Sequence, residues 1–187
     1  MSLSRALYRA RQFLLAWRAT LTPRDVEQAR SALTLAQMAL FNRMQSSEQA
    51  HAVSVYRQLV EQGETSSDLL AAALLHDVGK CLSPLRLWER VLIVLGRAVF
   101  PAQSKRWGSL PAEGENISLP GERLRGWKRA FVVAEQHPAW GASLAAEAGS
   151  SPQTVSLIRL HQEPVSIATD GETKRLLIKL QAVDDRN

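Results

Sequence analysis

Cysteine is nearly absent from this sequence. The single copy, Cys81, has no intramolecular partner, so no internal disulfide is expected and a reducing, cytoplasmic compartment fits best. Long apolar runs are missing too. No stretch approaches the roughly 18 uninterrupted apolar residues of a spanning helix, and the first 18 residues lack the apolar block of a secretory leader. No convincing run of alternating apolar and polar residues marks a strand, and no internal repeat is found. Acidic residues are outnumbered, 18 against 23 basic ones, which leaves a net charge of +5 and a pI near 9.9. That balance suits anionic partners: phosphorylated small molecules, nucleic acid or an anionic membrane face. The basic residues are scattered and no nucleic-acid-binding motif accompanies them, so no specific nucleic-acid partner is expected.

What remains is ordinary globular composition, 45% hydrophobic and 22% charged, in 187 residues. This is enough for one domain with a sizeable core and a small appendage. The apolar spacing is helical throughout, so the expected fold class is all-α. Residues 3–18 read as an amphipathic basic helix, with Leu3, Leu7, Leu14 and Trp17 near one face and Arg5, Arg9, Arg11 and Arg18 more widely spread. It would pack on the domain as an extra helix or lie on an anionic membrane. Residues 1–20 are therefore set apart from a main domain over 21–187.

Thr22-Pro23 opens a helix expected to run to about Met44. Ser46 to Gln49 and Thr65 to Asp68 are capping boxes opening the next two helices. Gly63 stops the first of them. Gly79 fits the left-handed position after the second. Ser83-Pro84 begins a very apolar helix, Leu85 to about Phe100, which is buried or docks on a partner or lipid. Residues 101–122, rich in Pro and Gly, read as one long loop, a substrate cover or a surface insertion. A helix over 125–136 is expected to end at His137, because the residue before Pro138 avoids the helical region. Further helices run from Pro138 to Ala148, from Ser151-Pro152 to His161, and from Asp170 or Thr173 to the last residues.

The chemistry gathers at Ala71-Ala-Ala-Leu-Leu-His-Asp-Val-Gly-Lys80. An adjacent His76–Asp77 pair ends an apolar helix, where an uncompensated carboxylate is costly. A metal ion resolves the conflict by taking imidazole and carboxylate together; a solvated helix end is the plainer reading. The chain has only four histidines: His51, His76, His137 and His161. Each sits at or near a predicted helix end. Intervals of roughly 25 residues, continued to Asp184, allow a helix, a turn and a returning helix, so the side chains can meet in a bundle. Asp184 shares the apolar face of the last helix with Leu177 and Leu180, and Asp185 is the alternative if the register slips by one.

The ordered set His51, His76-Asp77, His137, His161 and Asp184, with the segment Leu74-Leu-His-Asp-Val-Gly-Lys80 and the element His137-Pro-Ala-Trp-Gly-Ala142, resembles the HD-domain superfamily of metal-dependent phosphohydrolases. The resemblance spans about residues 46–185 and implies an HD-domain helical bundle. It implies His51, His76, Asp77 and Asp184 on a first metal, and His137 and His161 on a second, with Asp77 bridging. The donor set suits Mn, Fe, Co, Ni or Zn. Two such ions about 3.5–4 Å apart can acidify a water and aim it at phosphorus. Lys80 is then the candidate phosphate contact and catalytic partner of Asp77, or simply a solvated lysine at a helix end. Arg125, Lys128 and Arg159 are further cations. Cys81 could add a ligand or nucleophile, or be a small residue packed after the helix. No Gly-Tyr-Pro element is present, and Gln162 follows His161 where the cyclic-dinucleotide branch carries paired histidines. The chain looks more like small bacterial members of the superfamily, including those that cleave diadenosine tetraphosphate.

Two classes of function follow. One is a metal-dependent phosphohydrolase or phosphodiesterase acting on a nucleotide or another phosphoester. The other is a non-catalytic HD module that senses a nucleotide or docks on a membrane through residues 3–18 or 85–100. Neither reading specifies an oligomeric state.

Overall fold

The capping and spacing signals do produce helices, and only helices. The computed structural model describes residues 21–109, 126–168 and 170–186, and among them every regular element is helical. In chain order these are α1 (Pro23–Ala32), α2 (Leu35–Phe41), α3 (Ser46–Glu61), α4 (Ser67–Leu75), a 3-10 turn (Val78–Leu82), α5 (Leu87–Val99), α6 (Pro101–Gly108), α7 (Lys128–Glu147), α8 (Pro152–Leu160), a short 3-10 turn (Val165–Ile167) and α9 (Gly171–Asp184). Among the described residues, no helix is long and apolar enough to cross a membrane. The amphipathic stretch 3–18, Arg125 and residues 110–122 of the expected loop lie outside the described residues.

Several boundaries differ from expectation, each for a local or long-range reason. The helix expected from Thr22 to Met44 is two helices. Thr34 Oγ1 accepts from the Gln37 backbone N–H at 3.3 Å, and Gln37 Oε1 accepts from Thr34 N–H at 2.9 Å. Leu33 and Thr34 are extended, so that second capping box starts a separate α2, and Gln37 Nε2 reaches Ser150 Oγ at 2.9 Å. The caps of α3 and α4 fall one residue away from those read in the sequence, at Gln45 and Ser66. The 101–122 loop is corrected in its first half, where Pro101 takes the first position of α6.

The larger correction concerns α7. His137 does not sit at a junction: one helix runs through it from Lys128 to Glu147, with Pro138 inside. Pro138 has no N–H to give to the Ala134 carbonyl. Arg97 on α5 donates to that carbonyl instead, at 3.3 Å, and pairs with Glu135 at 2.7 Å. A side chain 37 residues away in sequence thus replaces the missing helical bond.

Gly79 is also corrected. Among the described residues, the glycines with positive φ are Gly63, Gly126 and Gly149, not Gly79. Gly79 is required by close approach: a Cβ there would lie 2.0 Å from the His137 carbonyl oxygen and 2.7 Å from Gly141 N. The 3-10 turn therefore rests directly on the backbone of α7.

The main core is formed by α1–α4, the second half of α7, α8 and α9. Ala71, Ala72 and Ala73 of α4 are all buried there, and these small side chains bring α4 close to its neighbours. A second, smaller core lies between α5 and the first half of α7, built on Leu85, Ile93, Ala130, Val133 and Ala134.

Candidate metal centre

Five helices and one 3-10 turn bring the candidate residues to one place. His51 projects from α3, His76 ends α4, and Asp77 opens the following turn. His137 lies mid-α7, His161 ends α8, and Asp184 lies in the last turn of α9. The imidazoles form a chain of neighbours. Ring centroids are 5.3 Å apart for His51–His76, 5.1 Å for His76–His161 and 5.2 Å for His137–His161. Asp184 Oδ1 lies 2.8 Å from His51 Nε2 and 3.5 Å from His76 Nε2. Asp184 thus faces the cluster, whereas Asp185 is exposed.

The hydrogen bonds set the tautomers. His76 Nδ1 donates to the Ala73 carbonyl at 2.9 Å, His137 Nδ1 to Val133 at 3.0 Å, and His161 Nδ1 to Ile158 at 2.8 Å. A carbonyl can only accept, so each Nδ1 carries the hydrogen and each neutral ring presents a lone pair at Nε2. These lone pairs converge on Asp77. Its Oδ1 lies 3.2 Å from His137 Nε2 and 3.9 Å from His161 Nε2, and its Oδ2 is 3.7 Å from His76 Nε2. His76 Nε2 and His161 Nε2 are buried with no hydrogen-bond partner among the described residues. Acceptors facing acceptors in a dry interior repel unless a proton or a cation stands between them.

Protonation is a poor solution at neutral pH. Burial, then the neighbouring His76 and His137, push His161 down to about 3. Burial and then Lys80 lower His137, against the pull of Asp77. The carboxylates stay ionised. Burial pushes Asp77 up, but Lys80, His76 and His137 outweigh it and hold the group well below its usual range. Asp184 is likewise lowered, with His76 and His51 overcoming the effect of burial. Neutral imidazoles and ionised carboxylates are the forms that ligate metals.

Two groups can each hold a metal ion: His51, His76 and Asp77; and Asp77, His137 and His161. Within each, one donor atom per residue lies within 4.8 Å of the others. Asp77 belongs to both. Lys80 Nζ sits 2.6 Å from Asp77 Oδ2, as the only ammonium paired with that carboxylate among the described residues.

No family model, curated protein or solved structure matches this chain. Its chemistry is therefore read from its own atoms.

Beside the cluster lies a cleft of about 880 Å³, with His161 and Asp184 in its lining and Arg97, Lys105 and Arg159 among its cations. Lys128 is not among the lining residues; it stacks on Trp127 instead. Cys81 is half-buried, with burial raising its thiol, which makes it a poor nucleophile.

Some features of the site escaped the sequence reading. Glu48, one helical turn before His51, is buried and bound to Arg90 of α5 at 2.6 Å. Burial raises its carboxyl, opposed by Lys80 and Arg90. Its i, i+3 spacing from His51 was the available signal. Gln162 Nε2 lies 3.4 Å from His137 Nε2, a position that only the end geometry of α8 could reveal.

Proposed function

We propose that this chain is a metal-dependent phosphohydrolase of the HD-domain type, acting on a nucleotide or another small phosphoester. The observation that carries the reading is the set of Nε2 lone pairs of His76, His137 and His161 converging, buried, on ionised Asp77. A shared carboxylate between two donor groups suits a pair of divalent ions, and the imidazole–carboxylate mix suits Mn, Fe, Co, Ni or Zn. Bound ions would supply Lewis acidity and a water of lowered pKa.

The chain's own residues prepare the rest. Backbone carbonyls hold the imidazoles in one tautomer, so no donor nitrogen needs reorienting. Lys80 keeps Asp77 ionised and, on its flexible stem, can turn its ammonium to a phosphate oxygen. Arg159 and Lys105 line the adjoining cleft, where they can hold further anionic groups of a substrate. Buried Ala71–Ala73 let α4 pack closely against its neighbours, and that packing places His76 and Asp77.

The test is metal content and turnover together. Purified wild-type protein is incubated with Mn²⁺ and a panel of nucleotides, dinucleoside polyphosphates and cyclic dinucleotides, beside Asp77→Ala. Wild type should bind metal and release phosphate or nucleotide; Asp77→Ala should do neither while remaining folded. A wild-type protein that holds no metal and turns over nothing refutes the proposal.

A further inference from the structure

Helix α5 is turned inside out. Its charged residues Glu89 and Arg90 are only 3% and 9% exposed, while Trp88, Leu95 and Val99 are 53%, 44% and 59% exposed. The reason lies in its partners. Arg90 reaches Glu48 and Gln45 on the α3 side, and Glu89 is bound by Arg129 of α7. Those two bonds set the helix's rotation, and at 100° per residue Trp88, Leu92, Leu95 and Val99 then form one stripe. Leu92, in the middle of the stripe, is half-buried against the second core, half-buried Val91 borders it, and Phe100 after the helix end is exposed. Its remaining charge, Arg97, is turned to Glu135. The outer face of α5 therefore carries no charged side chain, and contiguous exposed apolar surface of this kind marks a contact site.

The surrounding charge identifies the contact. From Pro84 to Ser109 the only acidic residue is Glu89, which is buried and paired. Arg86, Lys105 and Arg106 are exposed on the same α5–α6 hairpin. A face of Trp, Leu and Val on a hairpin whose exposed charges are all cationic matches the interface of an anionic bilayer, where apolar groups enter the acyl boundary and cations meet headgroups. With 13 residues, α5 is too short to span and would lie in the plane of the surface. We infer that α5 docks this protein peripherally on anionic membranes, Trp88, Leu95 and Val99 entering the interface and Arg86 and Arg106 facing headgroups.

The test is cosedimentation of the full chain with phosphatidylcholine–phosphatidylglycerol vesicles against pure phosphatidylcholine vesicles. Wild type should bind the anionic vesicles and bind them less well at high salt. The double substitution Trp88→Glu/Leu95→Glu, with its thermal midpoint measured beside wild type to confirm folding, should weaken binding by about tenfold or more. Arg86→Glu/Arg106→Glu, outside the cleft, should weaken binding to anionic vesicles only. Binding that survives the apolar double variant places the contact elsewhere and overturns the inference. So does a wild type that ignores vesicles but is a dimer, made monomeric by that same variant, because the face would then cover a second copy.

Discussion

Replacing Gly79 by alanine gives the sharpest test of how the site is assembled, because the clash is with backbone. The added methyl would stand 2.0 Å from the His137 carbonyl oxygen, 2.7 Å from Gly141 N and 2.9 Å from the His137 carbonyl carbon. All three atoms belong to the middle of α7, where no rotamer change can yield space. Relief needs a separation of the Val78–Leu82 turn from α7 of about 1 Å, since carbon–oxygen contacts fall near 3.3 Å or more. Overpacking of a core usually costs about 1–3 kcal/mol, and a backbone obstruction belongs at or above the top of that range. Against a typical domain stability of about 5–15 kcal/mol that is a large fraction. The same shift draws Asp77 away from His137 Nε2, now 3.2 Å from its Oδ1. Gly141→Ala is the matched control. Its nearest contacts would be 3.1, 3.3 and 3.4 Å, and alanine inside a helix gains up to about 1 kcal/mol over glycine. Urea denaturation followed by circular dichroism should show Gly79→Ala losing about 3 kcal/mol and Gly141→Ala remaining within about 1 kcal/mol of wild type. Equal stability of the two variants would refute the close approach of turn and helix.

Three further outcomes are expected. Glu48→Ala removes the carboxylate that neutralises a buried guanidinium and should destabilise the fold by about 3–5 kcal/mol, part of it restored when Arg90→Met is added, as a double-mutant cycle would measure. Arg97→Ala should cost about 1 kcal/mol through the Ala134 carbonyl, and less in a Pro138→Ala background, where residue 138 can supply the helical bond; equal losses in both would remove the explanation for the proline. Without metal, His161 folded near 3 but ordinary near 6.5 when unfolded favours the folded state fully above the unfolded value, and that contribution is lost as pH falls toward 3. Between about pH 7 and pH 5 the loss should be about 2 kcal/mol, and a flat urea midpoint across that window would show that His161 is not buried neutral.

The convergence of the histidines and aspartates was legible because these residue types are rare on apolar helix faces and stand out against Ala and Leu. Caps at Thr22, Ser151 and Asp170 were legible for the same local reason: each is a short side chain beside the N–H it accepts from. What was missed is non-local. Nothing near Pro138 announces that Arg97 will take over the Ala134 carbonyl, so a proline that reads as a stop is carried through a helix. Gly79 looks like a left-handed cap until the backbone of α7 is laid against it. The apolar period of α5 says that one face differs from the other, but the partners of Glu89 and Arg90 decide which face is inside. The break before α2 was local and still passed over, since Thr34 to Gln37 interrupts an apolar spacing that continues on both sides.

The placement of Asp184 has a consequence for synthesis. It sits in the final turn of α9 and meets His51 across 133 positions of chain. A ribosome delivers α1 through α8 first, and with them His51, His76, Asp77, His137 and His161. A chain whose α9 is not yet in place would hold Asp77 among its imidazoles without Asp184, and the apolar surface that α9 covers would be bare. Arrival of α9 brings Leu176, Leu177, Leu180 and Val183 into the core and the second carboxylate to His51 in one step. Covering that surface and giving His51 its carboxylate are thus both tied to one helix.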